Sequence, residues 1–349
     1  MMVADDIRMK RKIQQLGSST LAVTLPAEWA REHDAEKGDE VIIQTDESGG
    51  SLLIVPESPK TTDNAVVVDA SSLDPAALER TIIAQYVLGS SLLRIENDGP
   101  LSTELLDTIT DVERQLMGLG IVEQRLDRVE IRCSIDPGDF ELPRLLERLW
   151  RAEATMRDHA VASLLDGDVD RAQQTIYHER QLETLFYLFL RLLFTTYRNP
   201  RLNESVGLDT GFPLIGYRSI AQDVLLMAAR AKEIATLVDD GDGDEPDAET
   251  IDCFRAVTAE LETTAEATRT AVTEPTHENV SRARTCATSL SAAVETAQRH
   301  LEDARPEPLL ELQRSLSALN ASGNHATDSL DVASHFAVRS ESNATAEDS

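Results

Sequence analysis

Four basic side chains stand within five positions near the start of the sequence, namely Arg8, Lys10, Arg11 and Lys12. The whole chain carries a formal net charge of -29, yet no acidic residue falls between positions 7 and 27. Guanidinium and ammonium groups at this density attract an anionic partner, and salt screens that attraction. This basic arm is therefore a candidate binding segment. An arm that only improves solubility is the alternative.

The other reactive residue types show no spacing that indicates catalysis or a metal site. Cys133, Cys253 and Cys286 are scattered and form no CxxC pair, which argues against a disulfide framework or a zinc ribbon. The seven histidines show no HxxxH or HExxH spacing, and no GxSxG elbow or glycine-rich phosphate loop is present. We therefore expect no enzymatic activity and no cofactor.

The composition of the chain indicates the cellular compartment in which we expect it. The 62 acidic residues face only 33 basic ones, of which 28 are arginine, and this resembles the cytoplasmic proteins of haloarchaea. The start of the sequence lacks the apolar core of a signal peptide. The longest apolar run, 184–194, is interrupted by Arg191 and is too short to span a bilayer. We expect a cytoplasmic protein without membrane insertion.

Three polar stretches rich in turn-forming residues divide the chain into segments. They are residues 58–64, 136–139 and 239–248. These boundaries predict a multidomain α+β protein. Its predicted parts are an N-terminal module at 1–57, a middle module at 65–135, helical blocks at 140–238 and 249–338, and a disordered tail at 339–349.

The N-terminal module reads as strand, strand, short helix, strand and strand. Leu21, Val23 and Leu25 alternate with polar or small residues, and Pro26 can open a short helix. VIIQT and SLLIV then flank Gly49 and Gly50, which is typical of a hairpin. About fifty residues with so few apolar side chains make a poor independent core. The module is expected to need a second copy.

Three motifs follow one another in this module, namely RKIQQLGSSTLAVTLPAEW, KGDEVII and GGSLLIVP. With these motifs, residues 8–56 resemble a SpoVT/AbrB-type domain. The resemblance implies a swapped-hairpin β-barrel built from two chains, hence a homodimer that binds DNA. It places Arg8, Lys10, Arg11 and Lys12 against DNA phosphates, with Arg31 as a weaker candidate.

The middle module alternates short apolar runs with helical patterns. AVVVD and SSLLRIE read as strands, and DPAALERTIIAQYVL reads as a helix with Asp74 as its N-cap. A second helix follows Ser102, and GIVEQR and RVEIRCS close the module as strands. We expect a small α/β layer that acts as a spacer or receives a signal.

The two helical blocks show apolar residues at helical spacing and short connections, which predicts bundles. The stretch MRDHAVASLLDGDVDRAQQTIYHERQLETLFYLFLRLL resembles PhoU, and the spaced acids Glu179 and Glu183 belong to that likeness. The resemblance covers residues 140–338. It implies two three-helix bundles and a role in phosphate uptake and phosphate-responsive gene expression.

PhoU proteins also suggest metal clusters, held by a Glu/Asp-x-x-x-Asp signature on the third helix of each bundle. Here the matching positions are Leu225 and Ala229 in the first bundle and Asn320 and Asn324 in the second. Aliphatic and amide side chains lack the charge that hard cations need. We therefore expect no stoichiometric iron or zinc cluster. If the alignment slips by one helical turn, Asp223 and Glu233 become possible replacement ligands.

Two functions from different classes follow. The first is a transcriptional regulator of phosphate uptake, in which the AbrB-like dimer binds DNA and the PhoU-like bundles act as sensor or interaction domain. The second is a signalling adaptor that binds a phosphate-transporter ATPase and uses the AbrB-like domain only to dimerise. The basic arm favours the first.

Overall fold

The protein is described by a computed structural model that covers residues 10–17, 20–32, 35–45, 52–56, 65–199, 202–208, 212–239 and 246–347. The chain divides into two compact units, Met1–Asp63 and Asn64–Ser349. The middle module and the helical blocks, which the sequence analysis separates, therefore form one unit. No described helix is long and apolar enough to cross a membrane.

The N-terminal unit consists of two small hairpins and one short helix. Strands β1 (Gln14–Leu16) and β2 (Thr20–Ala22) pair antiparallel, with Gln15 opposite Leu21. Helix α1 (Ala27–Glu32) follows, and β3 (Val41–Thr45) pairs antiparallel with β4 (Leu52–Pro56). The predicted order of elements is confirmed.

The predicted barrel does not close within the described strands of one chain. The two hairpins form separate two-stranded sheets. In each two-stranded sheet a strand pairs along one edge only, and a strand from a second chain could pair along the other. The two-chain barrel stays a prediction.

The second unit opens with a four-stranded mixed sheet in the order β5-β6-β8-β7. Its strands are β5 (Val66–Asp69), β6 (Leu92–Glu96), β7 (Leu119–Gln124) and β8 (Arg128–Cys133). Strands β5 and β6 run parallel because helix α2 (Pro75–Val87) connects them, and α3 (Thr103–Gln115) precedes the β7–β8 hairpin. Asp74 and Ser102 cap the two helices, as the sequence predicts for Asp74.

Long helices form the rest of the second unit. The first bundle contains α4 (Leu142–Asp166), α5 (Val169–Arg198) and α7 (Phe212–Asp239), with the short α6 (Asn203–Val206) before α7. The second contains α8 (Ala248–Thr273), α9 (His277–Ala304) and α10 (Leu309–Glu347). Gly167, with φ 64, ends α4 in the left-handed region.

Both bundles share one hydrophobic core. It runs from Leu142 on α4 to Phe336 on α10 without a break between the blocks. Helices α7 and α10 pack closely at Gly216 of α7, because a Cβ there would lie 2.5 Å from Cζ of Phe336. The two bundles therefore contact each other through their third helices, α7 and α10.

Helix α10 extends into the segment that the sequence predicts as a disordered tail. It continues to Glu347 and includes most of residues 339–349. The segment lacks proline and glycine, which would end a helix, and Glu341 accepts a hydrogen bond from His277 at 2.7 Å.

Candidate functional site

The basic arm precedes strand β1. Lys10, Arg11 and Lys12 are exposed in the segment that leads into β1, whereas Arg8 lies outside the described residues. Arg31 is exposed on α1, where its Nε donates a hydrogen bond to the carbonyl oxygen of Ala27 at 3.2 Å. The arm thus presents positive charge to solvent, and the Arg31 guanidinium is partly engaged by its own helix.

The N-terminal unit also exposes an apolar surface. None of the residues between positions 10 and 56 whose side chains the structure describes is buried. Large apolar side chains face solvent on both hairpins, with Ile13 70% and Leu21 68% exposed. The others are Leu16, Val23, Leu25, Ile43 and Leu52. Exposed apolar residues at this density in so small a unit mark an interaction surface.

The positions that the PhoU signature would use are not metal-ligating in this chain. Leu225 is half-buried and packs against the shared core, and Asn320 and Asn324 are exposed on α10. Glu233, one possible replacement, forms an ion pair with Arg230 at 2.6 Å. The residues present therefore do not fit the multinuclear clusters that the resemblance implies.

The other possible replacement, Asp223, has two partners that the sequence analysis missed. Asp223 on α7 lies beside His325 and Asp328 on α10, and one ligand atom of each lies within 4.8 Å of the others. We call these residues the three-donor group. His325 and Asp328 are three positions apart on one helix face, which is a signal that the sequence contains. Their closeness to Asp223 depends on how α7 packs against α10, which the sequence does not contain.

Burial shapes the electrostatics of the three-donor group. It raises the pKa of Asp223 to about 6, although a hydrogen bond from Ser329 opposes the rise. It also lowers the pKa of His325, so that the imidazole is neutral at pH 7. The neutral imidazole and the ionised carboxylate are the forms in which these side chains can bind a metal ion.

The acidic residues of the α5 pattern serve the packing of the first bundle. Glu179 forms an ion pair with Lys232 of α7. Burial and the neighbouring Glu179 raise the pKa of Glu183. Neither glutamate belongs to a group of three metal-ligating side chains among the described residues.

A groove of about 670 Å³ lies between α4 and the second bundle. Its wall includes the buried ion pair of Glu153 and Arg157, whose Oε1 and Nε atoms are 3.1 Å apart. Arg269 of α8 spans the groove to Glu147 of α4 at 3.0 Å. These contacts connect the two bundles on the side of α4.

Two family models match the chain. The model described as "Antidote-toxin recognition MazE, bacterial antitoxin" matches residues 14–62, and the model described as "PhoU domain" matches residues 146–238. The chain carries a PhoU domain. It also carries a MazE/AbrB-type domain at its N-terminus, so both predicted resemblances are confirmed. The PhoU match ends at the first bundle, and the second bundle is identified from the helices α8–α10 themselves.

Among solved structures, one comparison is "Crystal structure of PhoU from Pseudomonas aeruginosa". It has 15% sequence identity and a TM-score of 0.49, and the aligned region covers 57% of this chain and 96% of that chain. The comparison with curated proteins found no match.

Proposed function

We propose that the protein is a DNA-binding transcriptional regulator of phosphate uptake. In this proposal the MazE/AbrB-type domain binds DNA as a homodimer, and the PhoU bundles sense the state of phosphate transport or bind a component of it. The observation that carries the proposal is the exposed basic arm at the entrance to a MazE/AbrB-type domain, in a chain that also carries a PhoU domain.

Charge supports DNA as the partner of the basic arm. The arm carries four positive charges in a chain of net charge -29, so that it opposes the sign of the protein around it. Dimerisation would double these charges at one place, and phosphate contacts provide sequence-independent affinity. The apolar surface of the N-terminal unit supports the homodimer, because a second copy would cover it.

The test is a salt titration of DNA binding. Replacing Arg8, Lys10, Arg11 and Lys12 with Ala should weaken binding to every sequence, since phosphate contacts position a protein without reading bases. The slope of log affinity against log salt should become shallower by roughly 0.9 for each lost contact. Fluorescence anisotropy on one promoter fragment measures both effects.

A matched control distinguishes the effect of the basic arm on DNA binding from the effect of the total charge of the protein. Replacing the exposed Arg114, Arg144, Arg151 and Arg255 of the second unit with Ala removes the same charge away from the arm. Each of these exposed arginines forms an ion pair near the surface with an acidic residue of its own helix or helix start, so the control should fold and bind DNA like the wild type. Equal affinity and slope in the arm variant and the wild type would contradict the proposal and favour the adaptor that binds a phosphate-transporter ATPase.

The regulatory part of the proposal has its own test. DNA immunoprecipitation in phosphate-rich and phosphate-starved cells should recover promoters of phosphate-uptake genes, with occupancy that changes between the two conditions. Promoter occupancy that is equal in the two conditions would show that DNA binding by the protein does not depend on phosphate.

A further inference from the structure

The three-donor group has the composition of a transition-metal site. Two carboxylates and one imidazole suit zinc, manganese or ferrous ions, whereas calcium takes six to eight oxygen ligands. The group differs from the signature clusters of PhoU proteins, because its residues come from two helices and the signature positions are aliphatic or amide here. It offers ligands for one ion.

The ligand atoms of the three-donor group need only small movements to bind one ion. Donor atoms that bind one ion at ~2.1 Å lie at most about 4.2 Å apart. The three ligand atoms already lie within 4.8 Å of one another. Side-chain movements of under ~1 Å would therefore close the group around an ion. With three protein ligands, a fourth position stays open to water.

The neighbouring side chains favour this arrangement. Ser329 donates a hydrogen bond from Oγ to Oδ2 of Asp223 at 2.9 Å, which fixes the carboxylate and leaves its other oxygen available. Nδ1 of His325 is buried, has no hydrogen-bond partner among the described residues, and lies 3.8 Å from Oδ2 of Asp328. A buried nitrogen in this state gains a partner when an ion binds.

The charges that face the group leave it negative. On α7, Arg218 and Arg230 act on Asp223 and His325 respectively, and Asp328 on α10 adds a second carboxylate. Arg230 also forms an ion pair with Glu233 at 2.6 Å. With Glu233 included, three carboxylates face two guanidinium groups, and this balance favours a cation over an anion.

We propose that Asp223, His325 and Asp328 bind one divalent transition-metal ion and thereby join α7 to α10, the third helices of the two bundles. The ion lies between the helices through which the two bundles contact each other. This proposal is independent of DNA binding by the N-terminal unit.

The test uses the full chain and two probes, Zn²⁺ and Mn²⁺. After loading and dialysis, elemental analysis should find one ion per chain, and calorimetry should show one saturable site. Asp223→Asn, His325→Gln and Asp328→Asn should each weaken binding at least ~10-fold, because each removes a ligand. Ser329→Ala should weaken it by roughly 10-fold through the orientation of Asp223.

The matched control is Asp331→Asn, which removes an exposed carboxylate from α10 that pairs with Arg284 at 2.9 Å. It should bind the ion like the wild type. Asp328 is exposed at the helix surface, so Asp328→Asn keeps the test valid even where another variant fails to fold. Circular dichroism reports folding.

Three results would overturn the proposal. The first is wild-type protein without a saturable site for either ion. The second is undiminished binding in folded Asp328→Asn and Asp223→Asn proteins. The third is an equal loss in Asp331→Asn, which would mean that the acidic surface binds ions without a defined site.

Discussion

Two arginines of α5 hold the C-terminal end of α2. Nη1 of the buried Arg191 donates to the carbonyl oxygens of Tyr86 at 2.7 Å and Ser90 at 3.1 Å, and its guanidinium lies 5.0 Å from the centre of the Tyr86 ring. Nη1 of the exposed Arg198 donates to the carbonyl oxygen of Leu88 at 2.8 Å. The last carbonyls of a helix lack partners within it, so these arginines satisfy them.

Replacing Arg191 with Met should lower the free energy of unfolding by about 2 kcal/mol, because the hydrogen bonds from its charged guanidinium to the carbonyl oxygens of Tyr86 and Ser90 are lost, although the Gly89 amide still donates to Tyr86. Arg198→Met is the matched control, since water can replace its exposed hydrogen bond, and it should cost less than about 1 kcal/mol. Urea denaturation followed by circular dichroism measures both. Similar losses in the two variants would show that burial does not set the strength of these contacts.

The sequence marks Arg191 only as an interruption in an apolar run. Its spacing indicates that this side chain enters a buried helix face, but the acceptors stand about a hundred positions earlier in the chain. The same limit applies to the three-donor group, where Asp223 was identifiable as a possible ligand while its partners were not. Residue types and local spacing are in the sequence, and contacts across helices are not.

At the scale of elements, helix α8 starts at a well-defined cap. Oδ1 of Asp247 accepts hydrogen bonds from the backbone amides of Glu249 and Thr250 at 3.0 Å, and Oδ2 accepts one from Oγ1 of Thr250 at 2.9 Å. These bonds to the charged form, led by the Thr250 amide, lower the pKa of Asp247. The carboxylate therefore stabilises the start of the second bundle.

Replacing Asp247 with Ala should lower the melting temperature at pH 7 by about 2 °C. A lowered pKa in the folded state gives stability that is present above the unfolded value and is lost as pH falls through the folded value. The difference between wild type and Asp247→Ala should therefore shrink below about pH 3.8. Thermal scans across pH check this.

The control for this cap is Asp247→Asn, whose amide oxygen can still accept the backbone hydrogen bonds. It should lose less stability at pH 7, and its difference from Asp247→Ala should not depend on pH. A constant difference between wild type and Asp247→Ala across the acid range would contradict the assignment of the lowered pKa to this cap.

Most element boundaries were predictable because the signals are local. The N-cap at Asp74 and the glycine turn at 166–168 mark helix ends in the sequence itself. Helix α10 continues past the predicted boundary at residue 338, where the apolar spacing that marks the helix in the sequence ends. The core that the two bundles share was not predicted, since turn-rich stretches predict chain reversals and not whether the flanking helices pack together.

For the whole molecule, the exposed apolar surface of the N-terminal unit leads to a test of assembly. Replacing Leu21 and Ile43 together with Asp should convert the expected dimer into a monomer, because buried charges without partners are costly in an interface. Leu126→Asp is the control, since Leu126 is 81% exposed in the second unit. Light scattering of the full chain measures the mass.

The wild type and the Leu126→Asp control should both be dimers, and the helical circular dichroism signal should be equal in all three proteins. A monomeric wild type would remove the dimer from the proposed function. A dimeric Leu21→Asp, Ile43→Asp variant would move the interface to the second unit.

Helix α10 is long enough to act as a lever. Its 39 residues span about 58 Å, and it contacts α7, α8 and α9 along its length. His325 lies about 33 Å from the C-terminal end of the helix, so a rotation of ~5° about that point moves the end by ~3 Å. A tilt of this size at the three-donor group would therefore be measurable with a pair of spin labels, one near the end of α10 and one on α9.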